Sequence, residues 1–199
     1  MSLEIFGAFV VFALVALFTP GPNNLMLMAS SLNFGFRRAL PHFWGVALGF
    51  AFMVLVVGLG LGAVFAAFPV LQAIISIAGA IYILYLAWII GTATAKEKDA
   101  GKQPVTFLQA VAFQWVNPKA WVMVIGAAAT YAAVAPFPWN IILMAAVFGV
   151  GGMASGLTWL SFGSGLRRFV RDERAVRIFN VGMAIVLALS VVPVFLETL

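Results

Sequence analysis

Thr19-Pro20-Gly21-Pro22-Asn23-Asn24 lies inside an apolar run that begins near Ile5 and fades only at Asn33. Each proline removes a backbone N–H and sets its ring against the carbonyl four residues back, so an α-helix cannot pass straight through this stretch. In lipid, backbone freed in this way must find partners in protein or in a wet cavity. The stretch therefore predicts a membrane helix that stops and restarts, with the break lining something.

A second break answers it. Gln114-Trp115-Val116-Asn117-Pro118-Lys119 interrupts a later apolar run, from Thr106 to about Val134. Asn followed by Pro is a helix start, with Asn as N-cap and Pro at the first helical position. Thr19-Pro20 reads the same way. Each half of the chain then holds one span that restarts in mid-membrane, and Lys119 is the only charged residue deep in any span.

Composition sets the class. The chain has 199 residues, 64% hydrophobic and 9% charged, with a mean hydropathy of +1.12. A soluble domain of this length has too much surface to carry that composition. A membrane helix needs about 20 apolar residues, and several such runs are present, so residues 1–199 read as one transmembrane domain embedded in lipid. The formal charge of +5 and isoelectric point near 10.1 do not call for nucleic acid, because cytoplasmic loops of membrane proteins collect Lys and Arg. The absence of cysteine excludes thiol redox chemistry, Cys-ligated metals and disulfides. Met1-Ser2-Leu3-Glu4 has no basic leader region, so the first apolar run is expected to stay as a span.

Six spans fit, at about 4–31, 39–65, 69–93, 106–134, 138–162 and 175–196. The turns near Ala66-Ala67-Phe68-Pro69 and Ala135-Pro136-Phe137-Pro138 carry no charge. The other three connectors hold Arg37 and Arg38; Lys96, Lys98 and Lys102; and Arg167, Arg168, Arg171, Arg174 and Arg177. Every Lys and Arg but Lys119 thus falls on one side, which the positive-inside rule makes cytoplasmic, with both termini periplasmic. The arginines of 163–177 either set topology or form a surface helix on anionic lipid.

Spans one to three start outside and end inside, and spans four to six do the reverse. The predicted fold is all-α integral membrane: six transmembrane helices as two inverted three-helix repeats with broken first and fourth helices. Repeat one covers about 4–93, repeat two about 106–196, with a cytoplasmic linker at 94–105. Asn23 before Arg37 and Asn117 after Lys102 both lie roughly 20 Å from cytoplasmic charge at 1.5 Å per residue, the equal depth such a repeat requires. Gly45/Gly49 and Gly152/Gly156 are small-residue pairs in the corresponding second and fifth spans, suited to close helix packing.

Inverted repeats with discontinuous midplane helices are a transporter pattern. Two half-helix starts, at Thr19-Pro20 and Asn117-Pro118, expose N–H groups and positive dipole ends. With Lys119 they suit a carboxylate. Carbonyls left unpaired near Leu17-Phe18 and Trp115-Val116, with Asn23, Asn24, Gln114 and Asn117, suit an ammonium group. The candidate substrate site is therefore Thr19, Pro20, Gly21, Pro22, Asn23, Asn24, Gln114, Asn117, Pro118 and Lys119, for a small zwitterion. Alternatives stand beside this: prolines that only kink, a lysine that snorkels to an interface, and Asn23 and Asn24 pairing with freed backbone.

His42, at the cytoplasmic edge of the second span, reads as a solvated boundary histidine or a proton relay. Being the only histidine, it cannot build a His-based metal site. Trp115 and Trp121 either pack or stack on substrate. Tyr82, Tyr85 and Trp88 fall close to one helix face, towards the cavity or the other half. No Asp or Glu lies inside a span, so a carboxylate proton relay is missing. A cation or metal carrier or channel is the rival reading, left with only carbonyls and amides for ligands. A membrane enzyme lacks a nucleophile-base pair, since Ser155 and Ser161 have no local base; no cofactor is called for. A homodimer is compatible with the small size and the glycine-lined faces.

Thr19-Pro20-Gly21-Pro22-Asn23 followed by Gly35-Phe36-Arg37 resembles the amino-acid exporter family named for LysE and RhtB. So do Gly79-Ala80 with Tyr82 and Leu86, and Asn117-Pro118-Lys119; the resemblance runs from about residue 4 to the end. Ala87-Trp88 and Phe113-Gln114-Trp115-Val116-Asn117 are similar to its cysteine and O-acetylserine exporter branch. The resemblance implies proton-driven efflux of small amino acids or derivatives, such as cysteine, O-acetylserine, homoserine or threonine, across a bacterial inner membrane.

Overall fold

The computed structural model describes residues 2–61, 63, 67–92, 103–169 and 173–192. Among these the regular structure is helical throughout: α1 (Leu3–Phe18), α2 (Pro22–Phe34), α3 (Phe36–Val56), α4 (Pro69–Thr92), α5 (Phe107–Val116), α6 (Pro118–Tyr131), α7 (Trp139–Phe169) and α8 (Glu173–Leu189). A π-helical turn, Val57–Leu61, extends α3, and a short 3-10 turn, Ala132–Val134, follows α6.

The ends follow from local chemistry. The Ser2 side chain accepts from the Ile5 N–H at the start of α1, with Glu4 in the first turn, where an acid favours the helix dipole. Gly35 has φ +87° and joins α2 to α3 in a single residue, a conformation glycine adopts without a Cβ clash. Thr106 and Gln109 form a reciprocal capping box at α5.

Phe36–Gly60 and Trp139–Arg167 are each long and apolar enough to cross a membrane, with hydropathy 2.2 and 1.9. The pair Leu3–Phe18 and Pro22–Phe34, bent by 47°, makes a third candidate crossing. The break in the first span is thus observed. The fourth predicted span is also divided, into α5 of 10 residues and α6 of 14. Two span limits move. The second span begins at Phe36 because the turn is complete at Gly35, and the fifth runs on to Phe169. The described residues of 163–177 therefore belong to the ends of α7 and α8. Most of the 94–105 linker, part of the turn before Pro69 and the outer end of the last span lie outside the described residues.

α3 packs along α7 and α5, α2 along α7, and α4 along α8. The apolar core falls into parts that the breaks separate. Phe9 of α1 and Trp121 of α6 join Phe50, Met53, Met144 and Phe148 in one cluster. Phe148 meets Phe9 and Phe50 edge-on at 5.3 and 5.2 Å, a favoured aromatic geometry. Leu25 of α2 and Phe113 of α5 join Ile83, Leu86 and Leu187 in another cluster. Each interrupted helix pair thus sends one half into each cluster, leaving the breaks between them. Leu48, Phe52, Trp88, Val122 and Ile178 point outwards.

Candidate functional site

α1 ends where Thr19 turns its N–H and its hydroxyl onto the Val15 carbonyl. The restart comes later than the Thr19-Pro20 reading predicts. Gly21 is the N-cap and Pro22 the first helical position, because the residue before a proline is pushed out of the α region. Pro22 thereby holds Gly21 extended, at φ −172°, and Pro20 cannot open the helix. Gly21 offers α2 no side-chain cap. At the second break Asn117 is the N-cap as predicted, its Oδ1 accepting from the Lys119 N–H at 3.1 Å.

Of the carbonyls predicted to stand open, those of Leu17 and Trp115 are paired. Leu17 O accepts from Asn24 Nδ2 and from Ser155 Oγ, both at 2.8 Å. Thr19 O accepts from Asn24 Nδ2 at 3.0 Å and from Lys119 Nζ at 2.6 Å. Trp115 O accepts from Trp121 Nε1 at 2.8 Å. Backbone acceptors away from water are rarely left unpaired, so side-chain donors within reach take them. Asn24 accordingly belongs to the backbone-pairing reading. Asn23 does not: its Nδ2 donates to Gln114 Oε1 at 2.8 Å, and Gln114 Nε2 returns a bond to Asn23 Oδ1 at 3.1 Å. Two stretches 91 residues apart are stitched together by this amide pair and, again, by the Lys119–Thr19 bond.

Beside these bonds lies a cavity with about 40 Å³ of room for water. Gly21, Asn23, Asn24, Asn117 and Lys119 line it, as does Ser155. The rest of the wall is small or apolar, including Ala47, Phe50, Met123, Gly152 and Gly156. Thr19, Pro20, Pro22, Gln114 and Pro118 do not line it. The prolines set where helices start, Gln114 orients Asn23, and Thr19 presents its carbonyl to Lys119. Among the described residues no three His, Asp or Glu side chains gather as a metal site would need.

Three other readings resolve. His42 is fully buried rather than solvated, with Nδ1 2.9 Å from Ser30 Oγ and, among the described residues, no partner for the buried Nε2. Because α3 starts at Phe36, His42 falls in its second turn, inside the bundle. Trp115 and Trp121 pack edge-on at 6.2 Å. Tyr85 and Trp88 face outwards, while Tyr82 rests against Phe113, with ring centroids 5.9 Å apart. Ser155 is the site residue that reasoning from sequence passed over, since it was weighed only as a nucleophile. The small-residue run Gly151-Gly152-Met153-Ala154-Ser155-Gly156 was the available signal, marking a wall where backbone comes near.

Residues 14–196 match the family described as LysE type translocator. The chain is 29% identical over 200 residues to the cysteine/O-acetylserine efflux protein of Escherichia coli (strain K12), covering 98% of this chain and 100% of that protein. The same identity and coverage hold for the cysteine/O-acetylserine efflux protein of Shigella sonnei (strain Ss046). No solved structure matches.

Proposed function

The chain belongs to the LysE-type translocator family, transporters rather than enzymes, and from that premise we propose that it exports small amino acids or their derivatives across a bacterial inner membrane. Cysteine, O-acetylserine, homoserine and threonine are representative cargoes, the first two taken from the names of its relatives. The observation that carries the proposal is the meeting of two interrupted helices at one small polar cavity. The α2 N-terminus, uncapped by any side chain, and Lys119 supply positive charge for a carboxylate. The Thr19 carbonyl, held here by Lys119, forms the negative pole for an ammonium.

The proposal includes six crossings arranged as two inverted three-helix repeats, with basic loops cytoplasmic and both termini periplasmic. The packing supports it. Exchanging spans one to three with four to six maps the contacts α3–α7 and α4–α8 onto themselves, as contacts on the axis of such a repeat would be. Both contacts are prominent ones. Glycines let the long helices come close: Gly45 and Gly49 of α3 abut Phe107 and Val111 of α5, Gly156 of α7 abuts Phe43 of α3, and Gly163 of α7 abuts Met28 of α2. Alternating access, by rocking of the two halves about the breaks with a proton as driving ion, is the mechanism we attach to this arrangement.

Counterflow in proteoliposomes tests the function. Preloading with unlabelled small neutral amino acids, one at a time, is expected to drive uptake of the labelled compound for at least one of them, and an imposed pH gradient is expected to drive net movement. No counterflow with any member of the panel would reject amino-acid export. Counterflow that ignores the pH gradient would reject the proton alone.

A further inference from the structure

The cavity at the breaks has room for a few water molecules, at roughly 10–15 Å³ each, and no more than that. Lys119 is part of its wall. Its Nζ sits 2.6 Å from the Thr19 carbonyl oxygen, and its stem lies across Gly21, where an added methyl would meet Cδ at 2.7 Å and Nζ at 3.0 Å. The ammonium group of the chain itself therefore occupies a carbonyl of the first break, next to the cavity-lining Gly21. No acidic residue shares this neighbourhood among the described elements, since Glu4 opens α1 and Glu173 opens α8. Among the described residues the lysine charge is held by the Thr19 backbone oxygen.

We infer that Lys119 is a tethered stand-in for the amino group of the substrate, and that loading is an exchange. A substrate ammonium takes the place of Nζ on Thr19 O, and the released Lys119 turns onto the carboxylate of the same molecule. This rests on the amino-acid reading above and adds how the site selects. A bare amine must displace a charged donor and leaves the lysine without an anion. A bare carboxylate has nothing to put on Thr19 O. Only a molecule carrying both groups leaves every charge partnered, and charge-assisted hydrogen bonds are the strong ones. Moving the lysine also opens the space the ligand needs, against a wall kept low by Ala47, Gly152, Ser155 and Gly156.

Binding to purified wild type and Lys119→Met protein tests this, using small neutral amino acids each paired with its own decarboxylated amine: alanine with ethylamine, serine with ethanolamine, threonine with 1-aminopropan-2-ol. Wild type is expected to prefer the bound amino acid over its amine by about 30-fold or more, the scale of one desolvated charge pair. In Lys119→Met the preference is expected to collapse to a few-fold, with the amine binding better than it does to wild type. Should Lys119→Met fail to fold, Lys119→Gln keeps a donor for Thr19 O, has no charge for a carboxylate, and is expected to lose the same preference. Wild-type binding with undiminished preference in the variant overturns the exchange and leaves amino-acid export standing. Wild type that binds no amino acid of the panel overturns the export reading, and the exchange with it.

Discussion

Asn23 and Gln114 exchange two amide hydrogen bonds across 91 residues of chain, and Gln114 Nε2 also donates to Ala110 O. Truncating either one strands the other, and a buried polar group without a partner costs about 1–3 kcal/mol. Thermal unfolding in detergent should therefore show Asn23→Ala and Gln114→Ala each destabilising, and the double variant losing less than the sum. Strict additivity would mean the pair does not couple the breaks. Ser155 poses a different question, because its hydroxyl shares Leu17 O with Asn24. Ser155→Ala removes one of two donors and should cost roughly 0.5–1.5 kcal/mol. Ser155→Val adds bulk to the cavity wall and should abolish transport while the protein still folds, which a transport assay on purified, monodisperse variant protein would check. Ser30 and His42 form a third polar pair. Both lie in predicted membrane helices, and burial of the pair follows from where α3 begins, which no residue near His42 announces.

The elements owe their limits to prolines and glycines. Pro22 and Pro118 each stand at a first helical position, where a missing N–H costs nothing. Asn117→Ala removes the only side-chain cap of the two restarts and should cost about 0.5–2 kcal/mol. The glycines divide by what faces them. A methyl on Gly45 would strike the Phe107 carbonyl and Ala110, and one on Gly163 the Met28 carbonyl, backbone that cannot swing aside. Gly45→Val and Gly163→Val should each destabilise by about 1–3 kcal/mol or more. Gly126 and Gly182 have nothing within 4 Å of an added Cβ, so Gly126→Ala and Gly182→Ala should stabilise by roughly 0.5–1 kcal/mol. Equal melting temperatures across the two sets would show that helix contact does not govern these positions. Gly79 belongs with the crowded set, since it brings α4 against the Val116 carbonyl that ends α5.

For the whole molecule the open proposal is six crossings, and the lack of native cysteine makes it directly measurable. Single cysteines at Arg38→Cys and Arg174→Cys should react with a membrane-impermeant thiol reagent only from the cytoplasmic side, and Pro136→Cys only from the periplasmic side. Labelling of all three from one side would reject the topology. Membrane character and the two breaks were legible in the chain, because each depends on local properties: apolar run length and proline geometry. The family resemblance rested on those same residues, and the match across residues 14–196 agrees with it. Other features had no local signature. That Gly21 rather than Thr19 caps α2 was readable in principle, from the effect of Pro22 on its neighbour. That Asn23 finds Gln114, that Ser155 and Asn24 both reach Leu17 O, and that Lys119 lies on Thr19 O were not. A hydrogen bond between segments 91 to 138 residues apart depends on how α3 and α7 hold the two broken helices against each other. The sequence by itself determined where the helices must stop; tertiary packing decided which donors meet the carbonyls so released, since an unmet acceptor takes whichever donor the fold delivers.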